Sequence, residues 1–284
     1  MTKQEKHQLQ LAACEIRKGI IDATHAAKSG HPGGSLGATE IFTALYFKEM
    51  NIDPQNPKME DRDRFVLSKG HCAPGLYSTL ANRGFFAVED LLTLRHIGSH
   101  LQGHPNMQLT PGVDMSTGSL GQGVSAAAGM ALGAKTTGKT NRVYTLLGDG
   151  EIEEGQCWEA FMFAAHYKLD NLCVIIDVNG LQIDGPTAKV MNAEPIDKKM
   201  AAFGFNVLRI NGNSFEELEA AFASARATKG MPTCLVADTT KGRCVSFMEN
   251  QAGWHGKAPN DDERLAALAE LNTLQQQLEG EANG

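Results

Sequence analysis

Val143-Tyr144-Thr145-Leu146-Leu147-Gly148-Asp149-Gly150 is the stretch whose reading decides the fold. Five residues of mostly apolar, β-favouring character run into a glycine, an aspartate and a second glycine. A helix-forming segment follows at 155–167, then Leu172-Cys173-Val174-Ile175-Ile176-Asp177-Val178-Asn179. Continuous apolar strands separated by a helix are the pattern of a parallel sheet buried on both faces. One strand therefore delivers the Asp149 carboxylate to its C-terminal end, and the next delivers the Asn179 amide to its own. Ligands of open α/β sheets gather at those ends. Two hard oxygen donors beside a glycine-opened turn suit a divalent cation holding a diphosphate, and Gly150 leaves room for a phosphate oxygen. Two turns capped by Asp and Asn are the plainer alternative.

Outward from this unit the alternation continues. Helices are expected over 5–28, about 38–50, 120–135, 215–228 and from Asp261 to a frayed end. Ser29-Gly30-His31-Pro32-Gly33-Gly34 should break the first helix. Strands are expected at 64–68, 205–210 and 232–237, and Ser214 with Glu217 reads as a capping box. Residues 98–119, rich in Gly, Pro, His and Ser, read as a long ordered loop, a feature more often functional than idle. The expected class is α/β, a doubly wound, mostly parallel sheet flanked by helices, in a single domain over 1–284.

The net charge of −7 with no basic stripe argues against nucleic acid or anionic membranes as partners. No apolar run approaches a membrane span, and the polar N-terminus shows no signal peptide. Six scattered cysteines without a C-x-x-C pair suggest reduced thiols and a cytoplasmic setting.

Four histidines sit in glycine-rich settings: Gly30-His31-Pro32-Gly33, Lys69-Gly70-His71, Gly103-His104-Pro105 and Trp254-His255-Gly256. Neutral imidazoles pass protons and bind sugar hydroxyls near neutral pH. Gly118-Ser119-Leu120-Gly121-Gln122-Gly123 is either a close-packing turn or a ligand loop. Glu154 and Glu159, at the start of a helix, either complement its dipole or serve an interface.

Together these segments resemble the transketolases. Gly148-Asp149-Gly150-Glu151 closing on Asn179-Gly180-Leu181 is similar to their thiamine diphosphate motif. The resemblance implies Asp149, Asn179 and the Leu181 carbonyl as ligands of Mg²⁺, with Ca²⁺ or Mn²⁺ as substitutes. It implies Gly150, Glu151, His71, Gly118, Ser119, Leu120, Asn179 and His255 around the cofactor. His31 and His255 would flank the reacting carbon, and His104 would bind the donor's terminal hydroxyl. Glu154 and Glu159 would lie at a subunit interface, and Trp158 and Trp254 would pack near the site.

The resemblance covers only the first part of a single-chain transketolase. The pyrimidine-binding domain, with its cofactor-activating glutamate, would come from a C-terminal partner subunit, giving an α2β2 heterotetramer acting on sugar phosphates. The alternatives are a subunit of a 2-oxo acid dehydrogenase or a deoxyxylulose phosphate synthase-like enzyme, and a non-catalytic cofactor-binding module.

Overall fold

In the computed structural model, which describes residues 1–281, the five expected strands form one parallel sheet. They are β1 (Arg64–Leu67), β2 (Val143–Gly148), β3 (Leu172–Val178), β6 (Asn206–Asn211) and β7 (Thr233–Asp238), in the order β1-β2-β3-β7-β6. A two-stranded hairpin, β4 (Leu181–Gln182) with β5 (Gly185–Pro186), follows β3. The apolar runs work because both faces of the sheet are covered. Phe65, Tyr144, Leu146, Ile175 and Leu235 face one core, and Val66, Leu147, Val174, Ile176 and Val236 face the other. Alternate side chains of a strand point to opposite faces, so a strand buried twice needs apolar residues at every position.

Helices α1 (Lys3–Ala27), α2 (Pro32–Gly37), α3 (Thr39–Ala44) and α4 (Ala73–Arg83) precede β2, on either side of β1. Helix α5 (Gln122–Thr136) enters β2, and α6 (Gly155–His166) joins β2 to β3. Next come α7 (Thr187–Val190), α8 (Ile196–Ala202), α9 (Phe215–Ala227) and α10 (Asp261–Glu281). Residues of α1, α3, α4 and α9 share the first core, and those of α5, α6 and α8 the second. A third apolar cluster joins α1 and α10 through Ile16, Ile20, Ala267 and Leu271, and includes Val245 and Trp254.

Two expectations are corrected. The segment at 29–34 breaks α1, but the next helix begins inside it, at Pro32, rather than near Ala38. Proline stands in the first turn of α2, where its missing N–H costs nothing and its φ is already helical. The rest of the expected helix ends in a π-helical turn over Leu45–Glu49. The capping box at Ser214 is only half made. The Ser214 hydroxyl accepts from the Glu217 N–H, but the Glu217 carboxylate takes the Asn211 N–H instead. A complete capping box occurs at Thr2 and Glu5. Beyond Glu281, the expected frayed terminus lies outside the described residues.

Register sets the site. Gly148 lies opposite Asp177, so Asp149 and Asn179 emerge side by side from β2 and β3. The Asp149 N–H closes the pair on the Asp177 carbonyl at 3.0 Å. Among the described residues no helix is long and apolar enough to cross a membrane. All six cysteines are free thiols.

Candidate active site

A cavity of about 510 Å³ opens at the C-terminal ends of β1, β2 and β3. Its lining includes His31, His71, Gly118, Leu120, Asp149, Gly150, Glu151, Glu154, Asn179, Leu181 and His255. Ser119 and Glu159 are exposed and lie off this lining. His104 also lies off it, yet its ring packs on Gly118: a Cβ there would come within 3.1 Å of the imidazole.

At the base of the cavity stands Asp177, with no exposed surface. One carboxylate oxygen takes the Lys69 ammonium and, at 3.0 Å, the Asn179 amide N–H; the other takes the Thr239 hydroxyl. Burial opposes its charge, but the Lys69 ammonium holds the Asp177 pKa below the usual carboxylate value. Because the Asn179 nitrogen is committed to Asp177, the amide oxygen is the atom left over; it accepts the Leu181 N–H at 3.2 Å.

Asp149 is buried one residue beyond β2. Its oxygens accept from the N–H groups of Gly150 (2.9 Å) and Gly180 (2.8 Å). Burial, with the Asp177 charge nearby, raises its pKa to about 6. Gly150 is helical in φ, so its use is space rather than conformational freedom. A Cβ at that position would meet the Gln182 amide oxygen at 3.0 Å, and this oxygen is buried without a partner.

Glu151 is more of a tie than a ligand. Its carboxylate accepts the Ser68 hydroxyl (2.6 Å), the Gly121 N–H (3.0 Å) and the Gly148 N–H (3.1 Å), fastening β1, α5 and β2 together.

Three imidazoles converge above this floor. The ring centres of His31 and His71 are 5.2 Å apart, those of His31 and His255 5.5 Å, and those of His71 and His255 5.0 Å. Burial pushes the pKa of His31 to about 4, helped by the charges of Arg95, His104 and Lys241, and that of His255 to about 4, helped chiefly by Lys241. His71 is driven well below the usual value, again by burial first and the Lys69 charge second. All three are therefore neutral at pH 7.

Sequence reasoning missed Lys241. Its buried ammonium donates to the Leu181 carbonyl at 3.1 Å and reaches His255 Nδ1 at 3.2 Å. An ammonium has only donors, so Nδ1 of a neutral His255 accepts and the ring proton sits on Nε2. His255 is thereby a donor toward whatever faces Nε2. Lys69 and Asp177 were missed as well. Lysine and aspartate at strand ends look like surface residues until the fold pairs them across 108 positions.

The cavity carries polar atoms that no other group of the chain satisfies. His31 Nδ1 and Gln182 Oε1 are buried and unpartnered, and an ammonium points at the same floor. Among the described residues no group of three or more His, Cys, Asp and Glu is placed to hold a metal. Asp149, Asn179 and Leu181 offer one carboxylate, one amide oxygen and one carbonyl. That all-oxygen set suits a hard cation sharing its coordination with phosphate.

Comparison with known proteins points the same way. Residues 8–275 match the family described as "Transketolase, thiamine diphosphate binding domain". The chain belongs to the transketolase family. It is 43% identical over 276 residues to an apulose-4-phosphate transketolase subunit of Phocaeicola vulgatus, covering 97% of this chain and 98% of that one. It is 44% identical over 263 residues to "6-deoxy-6-sulfo-D-fructose transketolase subunit SqwG" of a Clostridium species, covering 93% and 96%. Human transketolase is 45% identical over 256 residues, which make up 90% of this chain but 40% of that protein. The crystal structure of the Campylobacter jejuni transketolase superposes with a TM-score of 0.84 at 31% identity, over 99% of this chain and 48% of that one. The chain thus matches subunit-sized transketolases almost end to end and spans less than half of single-chain ones.

Proposed function

We propose that this transketolase chain is the cofactor-gripping subunit of a two-chain enzyme, one domain whose sites are completed by a C-terminal partner subunit in an α2β2 heterotetramer. The observation that carries the reading is the convergence of three neutral imidazoles, a buried carboxylate and a buried ammonium on one cavity at the strand ends. Its likeness to proteins named as transketolase subunits supports the division of labour.

Asp149, Asn179 and the Leu181 carbonyl would hold Mg²⁺, or Ca²⁺ or Mn²⁺ in its place. Lys241, whose ammonium touches that carbonyl, would supply positive charge for the diphosphate. His71, Gly150, Leu120 and Gly118 line the same cavity and would surround the cofactor. Thiamine diphosphate, when bound, supplies a carbon nucleophile that takes a two-carbon ketol unit from a ketose and passes it to an aldose. This chain's part is to hold charge and move protons. His255, with its proton on Nε2, donates to a developing alkoxide, and His31 serves as the neutral partner across the reacting carbon. His104, whose ring packs on Gly118, would bind a terminal hydroxyl of the donor. Glu154 at the rim and exposed Glu159 are assigned to the subunit interface, and the enzyme to the cytoplasm.

The test is reconstitution. The purified chain with thiamine diphosphate, Mg²⁺ and sugar phosphates is expected to be inactive, and ketol transfer to appear on adding the partner. Ketol transfer by the chain alone would overturn the two-chain reading. Substituting both His31 and His104 in the complex is expected to abolish transfer; undiminished turnover would favour a different reaction or a binding module.

A further inference from the structure

We propose that Asn213, which lies outside the cavity, is a positioning residue for Lys241: it ties the Thr239–Thr240 peptide, one unit before Lys241, to Glu40 and so fixes where the ammonium stands in the site. The inference rests on the cofactor reading above for its functional consequence, but its structural part stands alone.

Asn213 sits in the turn between β6 and α9. Its amide oxygen accepts the Thr240 N–H at 2.9 Å. Its amide nitrogen donates to the Gly37 carbonyl at 2.8 Å and to Glu40 Oε2 at 3.0 Å. One planar group thus joins the end of β7 to α2 and α3. Glu40 is a firm anchor. It is buried, and its two oxygens take the buried Arg17 guanidinium of α1 at 2.6 and 2.7 Å. Arg243 approaches the same carboxylate at 3.4 Å.

The clamp is tight because the surfaces around it are bare. A Cβ on Gly37 would lie 2.9 Å from the Thr240 carbonyl, and one on Gly33 would lie 3.3 Å from Lys241 Cγ. The 240–241 backbone presses directly on α2, and the Gly242 N–H bonds the Gly33 carbonyl at 2.8 Å. From that footing Lys241 reaches Leu181 and His255. A lysine stem has four rotatable bonds, so an ammonium held at two acceptors needs an immobile backbone beneath it. Removing the Asn213 side chain strips the Thr240 N–H of its partner, yet leaves Glu40 paired with Arg17. The fold should survive while the footing loosens.

The test titrates thiamine diphosphate and Mg²⁺ calorimetrically into the full chain assembled with its C-terminal partner. Asn213→Ala is expected to weaken cofactor binding about 10-fold, the scale of one lost buried hydrogen bond. Lys241→Ala should weaken it too, and adding Asn213→Ala to Lys241→Ala should cost less than about a further twofold, because a residue that acts through Lys241 has nothing left to position. Independent, multiplying losses would overturn the proposal. Hydrogen exchange on the chain without cofactor forms the second arm. Faster exchange confined to 239–250 in Asn213→Ala is expected; unchanged exchange there, or faster exchange throughout the chain, would overturn the clamp. If the wild-type complex failed to bind thiamine diphosphate, the cofactor reading would fall, while the exchange arm would still decide the clamp.

Discussion

Asp177 does at the residue scale what no motif announces. One buried carboxylate neutralises Lys69, orients the Asn179 amide and receives Thr239. Breaking a buried ion pair from one side strands the other charge, at a cost of about 3–5 kcal/mol. Asp177→Ala is therefore expected to lower stability by that amount in urea unfolding, with Lys69→Met in the same background restoring part of it. No restoration would mean that the cost lies elsewhere. The histidines give a pH dependence with a definite sign. His31 and His255 hold pKa values of about 4 in the fold, against an ordinary 6.5. Between those values the unfolded chain binds protons that the folded chain refuses, so stability is present above pH 6.5 and lost as pH falls toward 4. The wild-type melting temperature should drop more between pH 7 and 5 than that of His31→Gln; equal drops would contradict the burial of a neutral ring.

At the scale of elements, the readable parts were those whose physics is local. The apolar runs of β2 and β3 and the Gly-Asp-Gly turn announced a strand, its end and a site, because a parallel strand covered on both faces has no other composition. The start of α2 and the half-made box at Ser214 were misread, because a proline suits either a break or a helix start, and Glu217 had a competing donor in Asn211. Helix α5 shows how neighbours decide a glycine's meaning. A Cβ on Gly123 would come within 2.6 Å of Ser68 Cα, pushing on the residue that donates to Glu151. Gly129, on the same helix, has nothing within 4 Å. Gly129→Ala should stabilise the isolated chain by about 0.5–1 kcal/mol through helix propensity. Gly123→Ala should destabilise it despite the same propensity gain. Thermal melts of the pair check this, and equal responses would argue against the close contact.

For the whole molecule, the sheet serves as a frame that brings distant segments to one end. The cavity takes residues from 31 to 255, and its far rim leans on α10 through the cluster of Ile16, Ile20, Val245, Trp254 and Leu271. Deleting 261–284 would expose that cluster beneath His255. The expected outcome is a lower, broader melting transition by near-ultraviolet circular dichroism, with a shifted Trp254 signal; an unchanged transition would show that α10 is dispensable to the site.

The sequence by itself determined the class of sheet, the placing of Asp149 and Asn179 at adjacent strand ends, and the glycine-flanked histidines. Each of these is written in a short stretch whose pattern has a direct physical meaning. Only the tertiary structure decided that Glu151 is spent on tying β1, α5 and β2 together, that the Asn179 nitrogen is committed to Asp177, that Lys241 touches Leu181 and His255, and that Asn213 bonds the backbone beside it. Those facts depend on pairings such as Lys69 with Asp177 and Asn213 with Thr240. They arise from strand order and desolvation, and a buried charge looks the same in a sequence as an exposed one until the fold removes the water around it.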